Sequence, residues 1–538
     1  MNLTFDPLES RYASRRSLVY GRRGMVCSSQ PLASEAGLDM IKKGGNAFDA
    51  VLAAAACLCV VEPMSNNMAG DGFALIWHEG KLYGLNASGP APALMSVDAL
   101  KEAGYTSMPR YGWGAVTVPG VISGWAEINK RFGRLPLTEI LAPAIAYARD
   151  GFAVSPVISA LWENNTALLK ENLSGEFYET WAADFLKNGA APKAGELFRY
   201  EGMAETLEEL AKTDGESFYR GALADEIDSY SRKTGGYLRK EDLAAYRAQW
   251  VEPITTNYKG YDVWEIPPNG HGIVVLMAMN ILEQMDLSGG HDDPAVIHRQ
   301  MEALKLAFTD GKRYVTDPAY MKATVAELLS KDYAAKRRAL IGDTALLPTP
   351  GTPFCGDTVY LNAADGEGNM ISYIQSIYCP FGSGVAIPNT GLLMHNRGNN
   401  FTMDEAMENC VAPGKKPYHT IIPGFLTKDG KALGPFGVMG GFMQPQGHVQ
   451  VLNNLIDFHM NPQDALNAPR WMWTGEKNID LEHGYSADTA HKLTRLGHKI
   501  AIPTNSLSFG RGQIILRNEE GTLCGATEPR TDGTVAVW

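Results

Sequence analysis

The chain has 538 residues, 45% of them hydrophobic and 20% charged, which is an ordinary composition for a globular protein. Its formal net charge of −12 argues against a nucleic-acid-binding protein, because such a protein needs a basic surface to displace counterions from phosphates. The longest apolar run, residues 50–61, is shorter than the ~20 residues that cross a bilayer, so we expect no membrane partner.

The N-terminal segment, residues 1–10, has early acidic residues and no apolar core, so it does not resemble a secretory signal. The seven cysteines include no C-x-x-C pair, which indicates neither a disulfide framework nor a thiolate zinc site. We therefore expect a cytoplasmic protein. No cluster has the spacing of a metal site such as H-E-x-x-H, and Gly-Asp-Gly at 70–72 lacks a dinucleotide-binding setting, so no cofactor is predicted.

The first predicted elements are two helices. Residues 33–43 have helical periodicity, and Gly44-Gly45 ends the helix. Asn46 is expected to cap a second helix over residues 47–60, which is apolar on nearly all sides and therefore belongs to the core. A loop over 66–72 then leads into a strand at 73–77.

The middle of the chain is helix-rich, whereas the last third is predicted to be β. Periodic runs at 202–213 and 293–310 predict helices. Residues 358–364 and 370–376 are extended runs on either side of Asp365-Gly-Glu-Gly-Asn369, which predicts a β-hairpin. Without an internal repeat or a low-complexity linker, the sequence favours one entangled α/β domain.

The segment Gly356-Asp357-Thr358, directly before the hairpin, is a candidate autocleavage point. A threonine hydroxyl is a weak nucleophile unless a base removes its proton. A threonine that heads a chain carries that base itself, because the α-amino group titrates near pH ~8. Gly440 and Gly441 could let backbone N–H groups approach an oxyanion. Taken alone, the tripeptide is an ordinary strand start and the glycine pair an ordinary packing turn.

Several other short motifs rich in glycine, proline and charged or amide residues are spread along the chain. They are Gly44-Gly-Asn-Ala-Phe-Asp-Ala50, Met68-Ala-Gly-Asp-Gly-Phe73, Thr117-Val-Pro-Gly120, Arg149-Asp-Gly-Phe152, Pro267-Pro-Asn-Gly-His-Gly272, Asn467-Ala-Pro-Arg470 and Glu528-Pro-Arg530. With the Gly-Asp-Thr segment, they resemble the γ-glutamyltransferase family of N-terminal-nucleophile hydrolases from about Gly24 to Trp538. The resemblance implies a four-layer αββα sandwich and maturation into a large subunit, 1–357, and a small subunit, 358–538.

The resemblance also implies the catalytic roles. Thr358 is the nucleophile, both for cleavage of the Asp357–Thr358 bond and for attack on the substrate. Ser376, on the opposite hairpin strand, has the place of a hydroxyl residue that supports the nucleophile's amine. Gly440 and Gly441 match the pair whose N–H groups form the oxyanion hole.

The substrate end departs from the family pattern. Residues 86–92 contain no arginine, although γ-glutamyl enzymes use an arginine there to hold the substrate's α-carboxylate. An arginine, Arg397, stands where a residue that binds the α-amino group is expected. It suits a carboxylate and would repel an ammonium; its alternative role is a salt bridge to an internal acid. The candidate substrate-binding residues are Tyr378, Arg397, Asn400, His419 and Thr420, the last two replacing serines.

We therefore predict an N-terminal threonine amidohydrolase or acyltransferase that acts through an acyl-threonine intermediate. It resembles the oxamate amidohydrolases and the glutaryl-type cephalosporin acylases, with small carboxylate-bearing amides as substrates. One alternative is a true γ-glutamyl hydrolase or transpeptidase acting on glutathione; another is an unprocessed, non-catalytic anion-binding protein. The expected partners are the small-molecule amide and the two subunits of one precursor, and larger homo-oligomers stay open.

Four further polar residues receive structural interpretations. His271 lies in a loop rich in proline and glycine, which favours a turn-stabilising or surface role. His298 lies on a predicted helix and is interpreted as a packing or hydrogen-bonding histidine. Asp49 and Asp71 are expected to tie loops together.

Overall fold

The computed structural model describes residues 16–348 and 357–538, which form a mixed α/β fold with antiparallel sheets. The strands are β1 (Val19–Gly21), β2 (Gly24–Ser28), β3 (Asp71–His78), β4 (Lys81–Ala87), β5 (Phe152–Ala153), β6 (Leu197–Phe198), β7 (Gln249–Val251), β8 (Ile254–Tyr258), β9 (Tyr261–Glu265), β10 (Asp357–Asp365), β11 (Met370–Tyr378), β12 (Gly424–Lys428), β13 (Lys431–Met439), β14 (Trp471–Gly475), β15 (Asn478–Leu481), β16 (Lys499–Ala501), β17 (Arg511–Arg517), β18 (Leu523–Thr527) and β19 (Thr534–Val537).

Helices occur mainly between β4 and β10. They are α1 (Pro31–Lys42), α2 (Ala47–Val61), α3 (Val97–Glu102), α4 (Val121–Phe132), α5 (Leu137–Ile140), α6 (Ala142–Asp150), α7 (Pro156–Asn172), α8 (Gly175–Phe185), α9 (Glu201–Lys212), α10 (Glu216–Arg220), α11 (Ala222–Lys233), α12 (Lys240–Ala245), α13 (Gly272–Leu282), α14 (Pro294–Tyr314), α15 (Val325–Leu328), α16 (Lys331–Arg338), α17 (Met443–Ile456), α18 (Pro462–Asn467) and α19 (Ala487–Arg495). Within the described ranges, none is both long and apolar enough to cross a membrane.

Two seven-stranded sheets in the described part of the chain organise the fold. Sheet I has the strand order β19-β2-β10-β11-β3-β4-β7, and sheet II has the order β1-β18-β17-β13-β12-β9-β8. Neighbouring strands in both sheets are antiparallel. Each sheet contains strands from both ends of the chain: β2 lies between β19 and β10 in sheet I, and β1 pairs with β18 in sheet II. The N-terminal and C-terminal parts are therefore joined by backbone hydrogen bonds.

Strand β10 is buried on both faces, because its side chains alternate between two cores. Val359 and Leu361 belong to the core that contains α1 and α2. Tyr360 points the other way, into the core shared with sheet II. There it lies against Gly437 of β13, where an added Cβ would come within 2.5 Å of the Tyr360 ring. The two sheets therefore meet along β10 and β13.

The local elements predicted from the sequence are confirmed with small shifts. Helix α1 begins two residues before the predicted start at Ala33 and ends at Lys42. Asn46 caps α2 in a capping box with Asp49, and every residue of α2 is buried. The predicted hairpin is the antiparallel pair β10–β11. Helices α9 and α14 correspond to the two periodic runs in the middle of the chain.

Candidate active site

Thr358 lies near the start of β10, where the register with β11 shifts between Asp357 and Val359. Its side chain is buried, and Oγ1 donates a hydrogen bond to Ser376 Oγ at 3.1 Å. The same Ser376 oxygen accepts the backbone N–H of Tyr378 at 2.8 Å. Cys355, Gly356 and the Asp357 side chain lie outside the described residues. The hairpin thus brings the two predicted hydroxyl residues into direct contact.

Asp71 completes a row of three side chains across adjacent strands. In the pairing of β11 with β3, Ser376 lies opposite Asp71. The chain approaches closely there: a Cβ on the preceding Gly70 would lie 2.6 Å from the Ser376 carbonyl oxygen. By strand alternation, the Phe73 side chain points to the same face of β3 as Asp71, into the core between the sheets. Asp71 therefore faces the candidate nucleophile's side of sheet I, which the sequence did not show. Its contact with His419, in the loop before β12, confirms that it also ties a loop.

Gly440 and Gly441 connect the end of β13 to the beginning of α17. Their φ angles, +129° and +56°, lie in a region that favours glycine. An added Cβ on Gly440 would lie 3.2 Å from Gly510 Cα and 3.3 Å from Met443 Cβ. Backbone N–H groups at the start of a helix of this length favour a negative charge, as an oxyanion site requires.

Arg397 is fully buried on a short 3₁₀ turn, Arg397–Asn400. Its Nη1 donates to Thr420 Oγ1 at 2.7 Å, and its guanidinium stacks over the Tyr378 ring at 4.6 Å. Burial lowers the pKa of Arg397 to about 10, although the nearby Asp71 opposes that shift. No carboxylate of the described residues forms an ion pair with it, so the alternative of an internal salt bridge is wrong for this part of the chain.

Three hydrogen-bond donors of this turn have no acceptor among the described residues. They are Arg397 Nε, Arg397 Nη2 and the Asn400 side-chain amide nitrogen. Buried donors without acceptors carry a desolvation cost, because they have given up water without a replacement. The turn therefore presents a positive charge and spare N–H groups to an acceptor.

His419 joins the loop before β12 to Asp71. Its Nε2 lies 2.9 Å from Asp71 Oδ2, and His395 Nδ1 lies 3.6 Å from the same oxygen. Burial raises the pKa of Asp71 to about 7, against the opposing charges of Arg397 and Lys416. Burial also lowers the pKa of His419 well below its usual value. At neutral pH a neutral His419 can thus donate its Nε2–H to Asp71.

The other predicted histidines and Asp49 have structural roles. His271 is fully buried and its Nδ1 lies 3.1 Å from the Tyr418 hydroxyl, so the expected surface alternative is wrong. His298 bonds to His498 at 2.8 Å, which confirms a hydrogen-bonding role. Asp49 accepts backbone N–H groups of Asn46 and Arg134, which confirms that it ties two segments together.

One buried cluster has side chains of the kind that bind metals. Ligand atoms of His298, Glu302 and His498 lie within 4.8 Å of one another. The Lys305 ammonium donates to Glu302 Oε1 at 2.7 Å, so a cation already binds the carboxylate. His298 also pairs with the Gly342 carbonyl oxygen at 2.9 Å. Hydrogen bonds account for this cluster, and sequence spacing could not have revealed it, because His498 is remote from α14.

Comparisons with known proteins identify the family. The family description "Gamma-glutamyltranspeptidase" matches residues 33–538. The chain is 37% identical over 528 residues to the glutathione hydrolase-like YwrD proenzyme of Bacillus subtilis, covering 96% of this chain and 98% of that protein. It is 35% identical over 529 residues to the oxamate amidohydrolase proenzyme of Klebsiella pneumoniae, covering 95% and 98%.

A solved structure shows the same fold over the whole chain. The crystal structure of cephalosporin acylase from Bacillus halodurans superposes with a TM-score of 0.97 at 52% identity, covering 100% of this chain and 99% of that one. These relatives are hydrolases or acylases, and two are proenzymes. The chain therefore belongs to the γ-glutamyltranspeptidase family and is an enzyme, a self-processing amide hydrolase.

Proposed function

We propose that the chain is a precursor that cleaves its own Asp357–Thr358 bond, giving a large subunit, 1–357, and a small subunit, 358–538. The hydrogen bond from Thr358 Oγ1 to Ser376 Oγ carries this proposal, because it holds the hydroxyl at the start of β10. Strand β10 lies between β2 of the large subunit and β11 of the small one. The subunits would therefore stay joined through sheet I after cleavage.

The packing of the elements supports a four-layer αββα sandwich that folds as a single domain. Helices α1 and α2 pack on sheet I, and α13 and α17 pack on sheet II. The sheets face each other along β10 and β13. In such an arrangement the beginning of β10 and the end of β13 lie at the interface of the two sheets, where we place the chemistry.

Cleavage begins with attack of Thr358 Oγ on the Asp357 carbonyl carbon. The C–N bond breaks, an ester links the Asp357 carbonyl to Thr358 Oγ, and the departing nitrogen becomes a free α-amine. Water then hydrolyses the ester, which leaves a carboxylate on Asp357 and restores the Thr358 hydroxyl. The new α-amine titrates near pH ~8, so that a usable fraction is unprotonated at neutral pH.

In the mature enzyme this α-amine takes the proton of Thr358 Oγ as the oxygen attacks the substrate carbonyl. The N–H groups of Gly440 and Gly441 stabilise the oxyanion, and the amine product leaves with the proton. Water, activated by the same α-amine, releases the acyl group as a carboxylic acid. An amine that replaces water at this stage gives acyl transfer.

The substrate is a small amide whose acyl part bears a carboxylate but no α-ammonium. A buried guanidinium with spare donors suits a carboxylate, which can accept two N–H bonds from it. The Asn400 amide nitrogen offers another donor at the end of the same turn. The positive charge of Arg397 would repel an α-ammonium at the same place. Oxamate and glutaryl amides fit this description, and γ-glutamyl amides do not.

A direct test compares glutaryl-p-nitroanilide with γ-glutamyl-p-nitroanilide, which share the terminal carboxylate and the leaving group and differ only in the α-ammonium. Oxamate is the third substrate. We expect turnover of oxamate and the glutaryl compound, and a kcat/KM for the latter at least about tenfold above that of the γ-glutamyl compound, the scale of a buried charge contact. A preference for the γ-glutamyl compound would instead assign a γ-glutamyl hydrolase or transpeptidase.

Two variants separate the nucleophile from the carboxylate site. Thr358→Ala should remain a single 58.5 kDa chain on denaturing electrophoresis, whereas the wild type gives pieces of about two thirds and one third of that mass. Arg397→Gln should still be processed but should raise KM for the glutaryl compound. A Thr358→Ala chain that splits and hydrolyses amides would refute the function; a wild type that never splits would favour the anion-binding alternative.

A further inference from the structure

A connecting loop, residues 401–417, separates the two parts of the chain that carry the candidate substrate-binding residues. We call Arg397 and Asn400, whose spare donors are assigned above to the acyl carboxylate, the carboxylate site. The chain leaves this site after Asn400 and returns beside it with Tyr418, His419 and Thr420. A hydrogen bond from Arg397 Nη1 to Thr420 Oγ1, at 2.7 Å, ties the first residue of the turn to the returning segment. The Asn400 end of the turn must be held by other contacts.

Asn409, in the middle of the connecting loop, makes such a contact with its side chain. Its Nδ2 donates to the Asn400 carbonyl oxygen at 2.6 Å, and its Oδ1 accepts the Tyr418 backbone N–H at 2.9 Å. The same Oδ1 accepts the Thr316 hydroxyl at 2.9 Å. One carboxamide therefore connects the end of the Arg397–Asn400 turn, the start of the returning segment and a residue just beyond the end of α14.

The partners determine which end of the Asn409 carboxamide faces which segment. A backbone N–H can only donate and a carbonyl oxygen can only accept, so Oδ1 faces Tyr418 and Nδ2 faces Asn400. The reversed amide would bring two donors together at Tyr418 and two acceptors together at Asn400. Leucine has nearly the same shape but no polar atom, so it makes neither bond.

The large-subunit side of the proposed cleavage point anchors this part of the loop. Thr316 is fully buried. The buried carboxylate of Glu408, the residue before Asn409, forms ion pairs with Arg313 in the last turn of α14 and, at 3.2 Å, with Lys322. The Asn409 carboxamide is thus held from outside the loop, so that it can act as a fixed point for the segments on either side.

We propose that Asn409 is a positioning residue for the carboxylate site, which it serves by fixing the backbone of Asn400 relative to Tyr418. The inference rests on the proposed function and adds a residue that determines specificity without touching the substrate. Arg397 Nε, Arg397 Nη2 and the Asn400 amide nitrogen are buried donors without acceptors among the described residues. They can bind one carboxylate together only if their directions are fixed, because hydrogen bonds weaken steeply when they are misaligned.

The test compares glutaryl-p-nitroanilide with pentanoyl-p-nitroanilide, which share the acyl chain length and the leaving group and differ in the terminal carboxylate. The ratio of their kcat/KM values therefore reports contacts to the carboxylate. For the wild type we expect the glutaryl compound to be favoured by about 10–10²-fold, the scale of a hydrogen bond to a charged group. Asn409→Ala and Asn409→Leu should each lower this ratio by about 3–10-fold, the scale of a lost hydrogen bond. The change should occur in KM for the glutaryl compound rather than in kcat.

Thr316→Val is the matched control. It removes a hydrogen bond to the same Asn409 oxygen but leaves the bonds to Asn400 and Tyr418, so the fold should lose stability while the ratio stays at the wild-type value. A second comparison places Asn409→Leu in an Arg397→Gln background. Because Asn409 acts through the carboxylate site, its loss should then lower the ratio much less than in the wild type. An equal loss in both backgrounds, or a Thr316→Val ratio as low as that of the Asn409 variants, would overturn the inference.

Binding of free glutarate, measured by calorimetry, separates failure of this inference from failure of the proposed function. Both Asn409 variants should bind glutarate about 3–10-fold more weakly than the wild type, and Thr316→Val should bind it equally well. If the wild type hydrolyses no amide but these affinities are found, the proposed function fails and the positioning role stands. If the wild type hydrolyses both amides and the Asn409 variants keep its ratio and its glutarate affinity, the proposed function stands and the positioning role fails. Since leucine keeps the size of asparagine, a folding defect of the alanine variant does not decide the result.

Discussion

Replacing Ser376 with alanine removes a hydroxyl that contacts both the candidate nucleophile and the backbone beyond it. Ser376 Oγ accepts a hydrogen bond from Thr358 Oγ1 at 3.1 Å and another from the Tyr378 N–H at 2.8 Å. Tyr378 itself has a positive φ of 76°, a conformation that costs energy for a residue other than glycine. Ser376→Ala therefore perturbs the nucleophile and the strained end of β11 together.

The expected rate loss follows from these contacts. A neutral hydrogen bond contributes about 0.5–1.5 kcal/mol, which corresponds to a roughly 2–13-fold loss of rate if the bond helps to hold the attacking oxygen. A displacement of the nucleophile by a full ~1 Å would by itself cost about 10²-fold, which sets the upper end of the expected loss. We expect kcat and the rate of self-cleavage to fall by about 10–10²-fold. The Tyr378 N–H loses a buried acceptor, which should destabilise the fold by about 1–3 kcal/mol.

Ser372→Ala is the matched control. Ser372 is also fully buried on β11, and its Oγ is hydrogen-bonded to the Tyr360 hydroxyl at 2.8 Å. Its loss should likewise destabilise the fold by ~1 kcal/mol. Because this bond does not contact Thr358, the control should process and turn over substrate at close to wild-type rates.

The assay follows precursor disappearance on denaturing gels and then kcat of the processed enzyme, with urea unfolding as the stability measurement. If Ser376→Ala and Ser372→Ala are equally destabilised but only the first is slowed, the hydroxyl positions the nucleophile. If both process and turn over at the same rate, the assigned role of Ser376 is wrong.

Further predictions concern the oxyanion site, the buried acid and a helix cap. Gly440→Ala places a Cβ 3.3 Å from Met443 Cβ at φ +129°, so kcat should fall by ~10²–10³ in steady-state assays; an unchanged kcat would contradict the oxyanion role. Burial raises the pKa of Asp71 to about 7, above ~3.9 unfolded, so its contribution to stability is lost as pH rises from ~4 to ~7. The side chain at position 71 of the Asp71→Asn variant cannot ionise. The free energy of unfolding of this variant, measured with urea, should therefore fall between pH 5 and pH 8 by roughly 2–3 kcal/mol less than that of the wild type. The same pH dependence in both proteins would refute the assignment. Asn46→Ala removes the α2 capping box and should cost about 1 kcal/mol in unfolding experiments while leaving kcat unchanged.

The sequence predicted the elements whose signals are local. The Asn46 cap and the continuous apolar run specify α2. A buried helix needs acceptors for the backbone N–H groups of its first turn, and it needs an apolar surface. The Asp365–Asn369 turn residues specify the β10–β11 hairpin, because they allow the chain to reverse between two extended runs. Once the hairpin was predicted, Ser376 had to lie near Thr358, so this contact was also accessible from the sequence.

The constellation around the hairpin depended on pairings between distant segments. Asp71 lies opposite Ser376 because β3 is the next strand of sheet I, and no local pattern reveals which strand pairs with β11. His419 reaches Asp71 from a loop almost 350 positions away. The motif containing Asp71 was visible in the sequence, and Asp71 does tie a loop through His419, but the sequence did not show that Asp71 also lies opposite Ser376.

The sequence by itself predicted Thr358 as the candidate nucleophile, the strand that carries it, and the positive charge that Arg397 would bring to the candidate substrate site. The tertiary structure decided that this guanidinium is buried against Tyr378 and Thr420 with no ion-paired carboxylate among the described residues, and that α7 and β14 form one pocket beside Gly440. The physical reason is that strand order and helix packing are set by the sum of many long-range contacts, so no local run of residues encodes them.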